Sequence, residues 1–197
     1  FDIVTYTGNG GTSQTISHNL GSVPGMIIVK ATSAAKNWEV FHRSTGSTKA
    51  LYLNDSAVAN TATCHWNDTD PTSTDFTVGS YSNVNENGTT YVAYLFAHDE
   101  QDFGEDSDEA IIKCGTYTGN ASSTGPTVNL GFEPQWILVK NASKSANWTL
   151  FDTARGIVTG GEDKYLYPNT NNNELEAERL EVTSTGFKAT SSSALVN

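Results

Sequence analysis

The apolar residues of this chain fall in short runs separated by turn-forming residues, with no long stretch at helical spacing. In Tyr91-Val92-Ala93-Tyr94-Leu95-Phe96 both alternating faces are apolar, which predicts a central strand covered on both sides. Met26-Ile27-Ile28-Val29 and Trp136-Ile137-Leu138-Val139 read the same way. Between such runs lie Gly8-Asn9-Gly10-Gly11, Ser44-Thr45-Gly46, Asn87-Gly88 and Thr185-Gly186, the residue types that turns require. Many short strands at this spacing predict an all-β sandwich or barrel. Residues 174–179 form the one helical candidate, with a charged edge strand as the alternative. Cys64 and Cys114 read as small apolar residues in strands, and two isolated thiols make neither a disulfide framework nor a metal motif.

The pattern repeats. Thr5-Tyr6-Thr7-Gly8-Asn9 returns as Thr116-Tyr117-Thr118-Gly119-Asn120, Asn19-Leu20-Gly21 as Asn129-Leu130-Gly131, and Ile27-Ile28-Val29-Lys30 as Ile137-Leu138-Val139-Lys140. Asn37-Trp38 returns as Asn147-Trp148, and Phe41 as Phe151. The offset holds at 110 or 111, drifts to 115 between Asn54 and Asn169, and is 111 again between Phe76 and Phe187. Drift in one place means a loop of different length on a kept framework. A period of this size is a domain length. It predicts two copies of one antiparallel sandwich, 1–98 and 110–197, joined by a linker at 99–109. The equal positions of Trp38 and Trp148 predict core packing for both. The second copy stops at the equivalent of Asn85, so its last strand is expected from residues past Asn197 or from a neighbouring subunit, since proteins avoid a long unpaired edge. Phe1 already lies in a strand-like pattern, and the chain is expected to be part of a longer one.

Charge changes this picture in one place. The chain carries 22 acids and 11 bases for a net −11. Seven of those acids sit in the linker, which has no base, and the remainder is only mildly acidic. Asp102, Asp106 and Asp108 of that linker are the candidate ligands for a calcium ion, because clustered carboxylate oxygens suit a hard cation, although EF-hand spacing is not met. Calcium is the alternative here; the preferred reading is a solvated linker with no cofactor. The acidity argues against a nucleic-acid partner. No apolar run is long enough to span a membrane as a helix.

Read in order, "TYTGNG…ISHNLGSVPGMIIVK…NWEVFH", "FTVGSYSNVNENGTTYVAYLFAHD" and "CGTYTGN…VNLGFEPQWILVKNAS…NWTLFDTARG" resemble tandem repeats of tail-fibre and other virion-appendage proteins of marine bacteriophages, notably those of cyanobacteria. The resemblance covers nearly the whole chain. It implies lectin-like, jelly-roll β-sandwiches similar to the concanavalin A group, a place on the virion, and no defined catalytic residues.

The residues themselves offer no catalytic constellation. All four histidines (His18, His42, His65 and His98) lie in the first copy or at its end, and spacing pairs His18 with Val128 and His42 with Asp152 in the second. Cys64-His65-Trp66 invites a thiol reading, but neighbouring strand residues point to opposite faces. Sugar recognition fits better, since it combines an aromatic face with amide and carboxylate groups. Trp66, Asn67, Asp68 and Asp70 have that chemistry, with core packing the competing reading for Trp66. The expectation is therefore a non-enzymatic spacer or host-surface glycan contact module of a phage appendage, most simply a tail fibre. It would associate with other virion proteins and with copies of itself, a trimer being the fibre-like form. A carbohydrate-binding module of an extracellular bacterial adhesin and a capsid decoration protein are the alternatives.

Overall fold

Strand β3 (Pro24–Ala31) has all but one of its residues buried, and it lies where such a sequence must, between two other strands. The computed structural model describes residues 1–98, 110–158 and 160–197. With 37% strand against 4% helix the chain is all-β, and among the described residues every strand pairing is antiparallel and no sheet is closed. It divides into two compact units, Phe1–Leu53 with Ala59–Gly115, and Asn54–Val58 with Thr116–Asn197. Of the linker expected at 99–109, nothing lies within the described residues.

The first unit runs β1 (Asp2–Thr7), β2 (Ser13–Ser17), β3, β4 (Trp38–His42), β5 (Lys49–Tyr52), β6 (Asn60–Thr61), α1 (Thr63–Trp66), β7 (Asp75–Gly79), α2 (Ser82–Asn85) and β8 (Thr90–Ala97). Six strands form one sheet in the order β1-β8-β3-β4-β5-β6, and β2 pairs with β7 separately. The core draws on both: Ile16, Phe76 and Val78 from the pair, and Ile27, Val29, Phe41, Tyr91, Ala93 and Leu95 from the large sheet. As predicted β8 is central, between β1 and β3, but its cover is uneven: Tyr91, Ala93, Leu95 and Ala97 are buried, while Val92, Tyr94 and Phe96 on its other face are half-buried.

The second unit runs β9 (Thr127–Asn129), β10 (Trp136–Val139), β11 (Thr149–Asp152), β12 (Asp163–Leu166), β13 (Leu175–Ala177), β14 (Leu180–Thr183) and β15 (Gly186–Ala189). Its sheets are β10-β11-β12-β13 and β14-β15-β9. Several equivalent positions of the two units share strand registers. Ile27 faces Phe41 as Ile137 faces Phe151, and Val40 faces Leu51 as Leu150 faces Leu166. The helical candidate at 174–179 is instead the edge strand β13.

Three readings of the sequence change. Ile16 faces Phe76, whereas Val128 faces Phe187, so Val128 stands for Ile16 and His18 lies in a stretch the second copy shortens. Cys64 belongs to a single helical turn and Cys114, although buried, to no strand. Trp38 is only half-buried, stacked on Tyr94 at 6.4 Å under the Lys30 ammonium, whereas Trp148 is buried.

Candidate functional site

In β4 alternate residues face one way, so Glu39 shares the inward face of Phe41. A carboxylate there is fully buried, at 0% exposure, and an isolated buried charge is costly. Two short helical turns answer it. Asn83 of α2 donates from Nδ2 to Glu39 Oε1 at 2.6 Å. His65 of α1, itself 1% exposed, brings Nε2 within 3.3 Å of Oε2. That approach is not aligned as a hydrogen bond, so it is an ion pair when the imidazole is protonated. His65 Nδ1 lies 3.3 Å from the Ala62 carbonyl and 3.8 Å from Cys64 Sγ. The helical turn, in place of the expected strand, is what lets the thiol and imidazole meet. The Tyr81 ring covers the imidazole at 4.3 Å between centroids, and Tyr52 stands edge-on at 6.2 Å.

Tyr81 and Asn83 also line an open depression of about 560 Å³, with Lys30, Ala35, Lys36 and Asn37 completing it. Lys30 Nζ donates to the Lys36 carbonyl at 2.6 Å, and Lys36 Nζ lies 3.3 Å from a Glu86 carboxylate oxygen. Two ammonium groups, two amides and a phenol thus surround one hollow, a set able to hydrogen-bond hydroxyls or carboxylates. The second copy lacks this chemistry. Thr149 stands for Glu39 and Leu195 for Asn83. Lys140, the counterpart of Lys30, gives its ammonium to the carbonyls of Ser56 and Asn141 at 3.2 and 2.8 Å, and burial holds its pKa below the ordinary lysine value.

A single family model covers residues 1–197, both copies together. The chain belongs to the DUF7483 family, a domain of unknown function. No curated protein and no solved structure shows a significant match. The DUF7483 unit therefore contains the duplication within itself.

In this DUF7483 chain Trp66 is 2% exposed, packs edge-on against Phe41 at 5.9 Å and donates Nε1–H to the Lys49 carbonyl at 3.1 Å. Its ring has no free face, so the sugar-stacking role expected of it is not available. The second copy needs no such tryptophan, because Tyr165 holds the register of the small Ala50 and supplies the ring against Phe151 at 5.6 Å. Asn67, Asp68 and Asp70 are exposed on the turn after α1, where Asn67 and Asp68 both take positive φ. They are brought together without the aromatic platform. The calcium candidates Asp102, Asp106 and Asp108 lie outside the described residues. Among the described residues no group of three or more His, Cys, Asp or Glu could hold a metal ion, and no helix is long and apolar enough to cross a membrane.

Sequence reasoning missed the Glu39–His65–Asn83 cluster. One signal was present: in Trp38-Glu39-Val40-Phe41 the glutamate shares parity with the core residue Phe41.

Proposed function

We propose that this DUF7483 chain is a non-enzymatic structural segment of a phage virion appendage, first of all a tail fibre. Its two copies, read as tandem jelly-roll sandwiches of the concanavalin A-like kind, serve as spacers and as a contact module for host-surface glycans, in a homo-oligomer for which a trimer is the fibre-like form. The observation that carries this reading is one closure used twice. Tyr6 donates to the Val84 carbonyl and Asn9 N–H to Asn85 Oδ1, and Tyr117 donates to the Val196 carbonyl and Asn120 N–H to Asn197 Oδ1. Repeating one closed framework gains length without a new fold, which is what a spacer requires. Immunogold electron microscopy of purified particles with antibody against residues 1–197 tests it. Label along an appendage supports the reading, and label on the capsid shell or in the particle-free supernatant alone overturns it.

The depression of Lys30, Lys36, Asn37, Tyr81 and Asn83 favours a second reading, a carbohydrate-binding module. Binding to acidic glycans on an array, lost in Lys36→Ala, supports it; binding that Lys36→Ala leaves intact removes the depression from the account.

A further inference from the structure

The Cys64 thiol stands at the outer end of a row of polar groups that leads into the core of the first unit. Its Sγ lies 3.8 Å from His65 Nδ1, His65 Nε2 lies 3.3 Å from Glu39 Oε2, and Asn83 Nδ2 donates to Glu39 Oε1 at 2.6 Å. Glu39 and His65 are buried, whereas Cys64 is half-buried and within reach of a small molecule. The surrounding backbone holds the thiol in place. The Cys64 carbonyl accepts the Tyr81 N–H at 3.0 Å, and Gly79 passes so close to that carbonyl that a Cβ would overlap it. The Tyr81 ring covers the imidazole from the side. The other cysteine, Cys114, is buried, with its Sγ on the Ala97 carbonyl at 3.7 Å.

The order of these groups directs a proton. An ionised carboxylate only accepts, so Glu39 favours the neutral imidazole with its hydrogen on Nε2 and its Nδ1 lone pair turned to the sulfur side. Once Nδ1 takes the thiol proton, its N–H faces the Ala62 carbonyl at 3.3 Å as well as the sulfur. Both ring nitrogens then meet an acceptor, where the neutral ring meets one. Asn83, by holding Oε1, leaves Oε2 to the imidazole. The thiolate, not the thiol, is the nucleophile, and a neighbouring imidazolium favours it.

We propose that Cys64 is a modification site, a thiol that exchanges with small uncharged disulfides, with His65 as its base and Glu39 as a positioning residue. The Cys64 sulfur bonds one sulfur of the disulfide, and the bond between the two disulfide sulfurs breaks. The leaving sulfur departs with that electron pair and takes the proton from His65 Nδ1. Cys64 is oxidised to a mixed disulfide and the leaving group is reduced to a free thiol, so the disulfide itself is the oxidant. Exposed Asp68 and Asp70, on the turn after α1, disfavour an anionic disulfide. The reaction is stoichiometric and depends on neither reading of the function above.

The test treats the chain 1–197 with 2-hydroxyethyl disulfide at pH 7 and locates the mixed disulfide by peptide mass spectrometry. A synthetic peptide of residues 60–70 supplies the rate of the same thiol without the fold. The expected result is that Cys64 reacts at least about tenfold faster in the chain than in the peptide, while Cys114 stays unmodified. Modification should also shift the imidazole nitrogen NMR signals of His65. Glu39→Gln keeps an acceptor for Asn83 but turns an amide N–H to His65, and should bring Cys64 down to the peptide's rate with Cys114 still protected. A wild-type rate no higher than the peptide's overturns the proposal, as do unmoved His65 signals or a Glu39→Gln chain that keeps the wild-type rate. The wild-type comparison and the His65 signals decide the matter even where Glu39→Gln unfolds the unit and lets Cys114 react.

Discussion

The Tyr6 hydroxyl donates to the Val84 carbonyl at 2.7 Å, joining positions 78 apart in the chain. Val84 lies in α2, and burial together with the neighbouring Tyr91 raises the Tyr6 pKa far above its ordinary value, so the phenol stays a donor. Beside it Gly8 passes so close to the Asn85–Glu86 backbone that a Cβ would collide, and Gly119 does the same against Asn197. Tyr117 repeats the bond to Val196 at 2.6 Å, its pKa pushed up to about 12 by burial. Tyr6→Phe and Tyr117→Phe should each destabilise their own unit by about 1–2 kcal/mol, the cost of a buried acceptor left unmet. Urea titration with unit-resolved NMR signals measures this, and an unchanged midpoint for either variant removes that bond from the closure.

The two equivalent tryptophans should differ. Trp148 is 4% exposed, and Trp148→Ala should cost about 3–5 kcal/mol, as large aromatic truncations in cores do. Trp38 has one ring stacked on Tyr94 and an ammonium above it, with the rest half-exposed, so Trp38→Ala should cost about 1–2 kcal/mol. Thermal melts of both variants decide it; equal losses would mean that the half-exposed ring is held as tightly as the buried one.

Much of this framework was readable beforehand because repetition supplies its own control: two diverged stretches agreeing on Tyr, Leu-Gly, Val-Lys and Asn-Trp mark positions that packing holds fixed. The alignment slipped where the copies differ by a small insertion and a small deletion, between Asn9 and Leu20, since only strand pairing shows that Val128 answers Ile16. The turn Thr63–Trp66 was unreadable because its residues favour strands locally and no side chain caps it; burial of His65 and Trp66 imposes it. Glu39 was equally hidden, because a buried glutamate makes sense only once His65 and Asn83, distant in sequence, stand beside it.

Ala121 has φ 53, a left-handed conformation in which a Cβ is strained, and Gly10 holds the equivalent place at φ 65. Ala121→Gly should therefore stabilise the second unit by about 1 kcal/mol despite the added freedom of the unfolded chain. The reverse change, Gly10→Ala, also pushes a Cβ to 2.8 Å from that of Asn87 and should cost the first unit more than the second gains. Denaturant midpoints of the two variants check both signs. A loss of stability in Ala121→Gly would show that the strain is absorbed elsewhere.

Mild acid should weaken the first unit selectively. His42 Nδ1 accepts the Ser44 N–H at 3.2 Å, and burial, then repulsion from Arg43 and His98, lowers its pKa to about 4. An unfolded histidine titrates near 6.5. As pH falls from about 6.5 towards 4, the unfolded chain takes up a proton that the folded unit refuses, so stability is lost across that window, by about 2–3 kcal/mol at its lower end. In the second copy Asp152 accepts the Arg155 N–H instead, and hydrogen bonds from the Arg155 side chain hold its pKa below the ordinary carboxylate value. That contribution persists through the histidine window and is lost only in stronger acid. Denaturation at pH 7 and pH 4.5 should show the loss in the wild type and a smaller one in His42→Asn, which keeps an acceptor without the titration. An equal loss in both would assign it to other groups.

The buried cluster gives the sharpest contrast between the copies. Glu39→Thr installs the residue of the second copy but leaves His65 and Asn83 facing no carboxylate, and should cost about 3–5 kcal/mol, the scale of a broken buried pair. Asn83→Leu alone strips Glu39 Oε1 of its donor and should cost about 1–3 kcal/mol. Together they install the residues that the second copy carries at these two places, Thr149 and Leu195, and the amide that Glu39→Thr orphaned is gone. The double variant should therefore fall short of the summed losses by at least about 1 kcal/mol, because residues sharing a network couple. A double-mutant cycle by urea denaturation reads the coupling directly. Strict additivity would mean that Asn83 and Glu39 act separately, and that the 2.6 Å bond between them contributes nothing to the stability of the first unit.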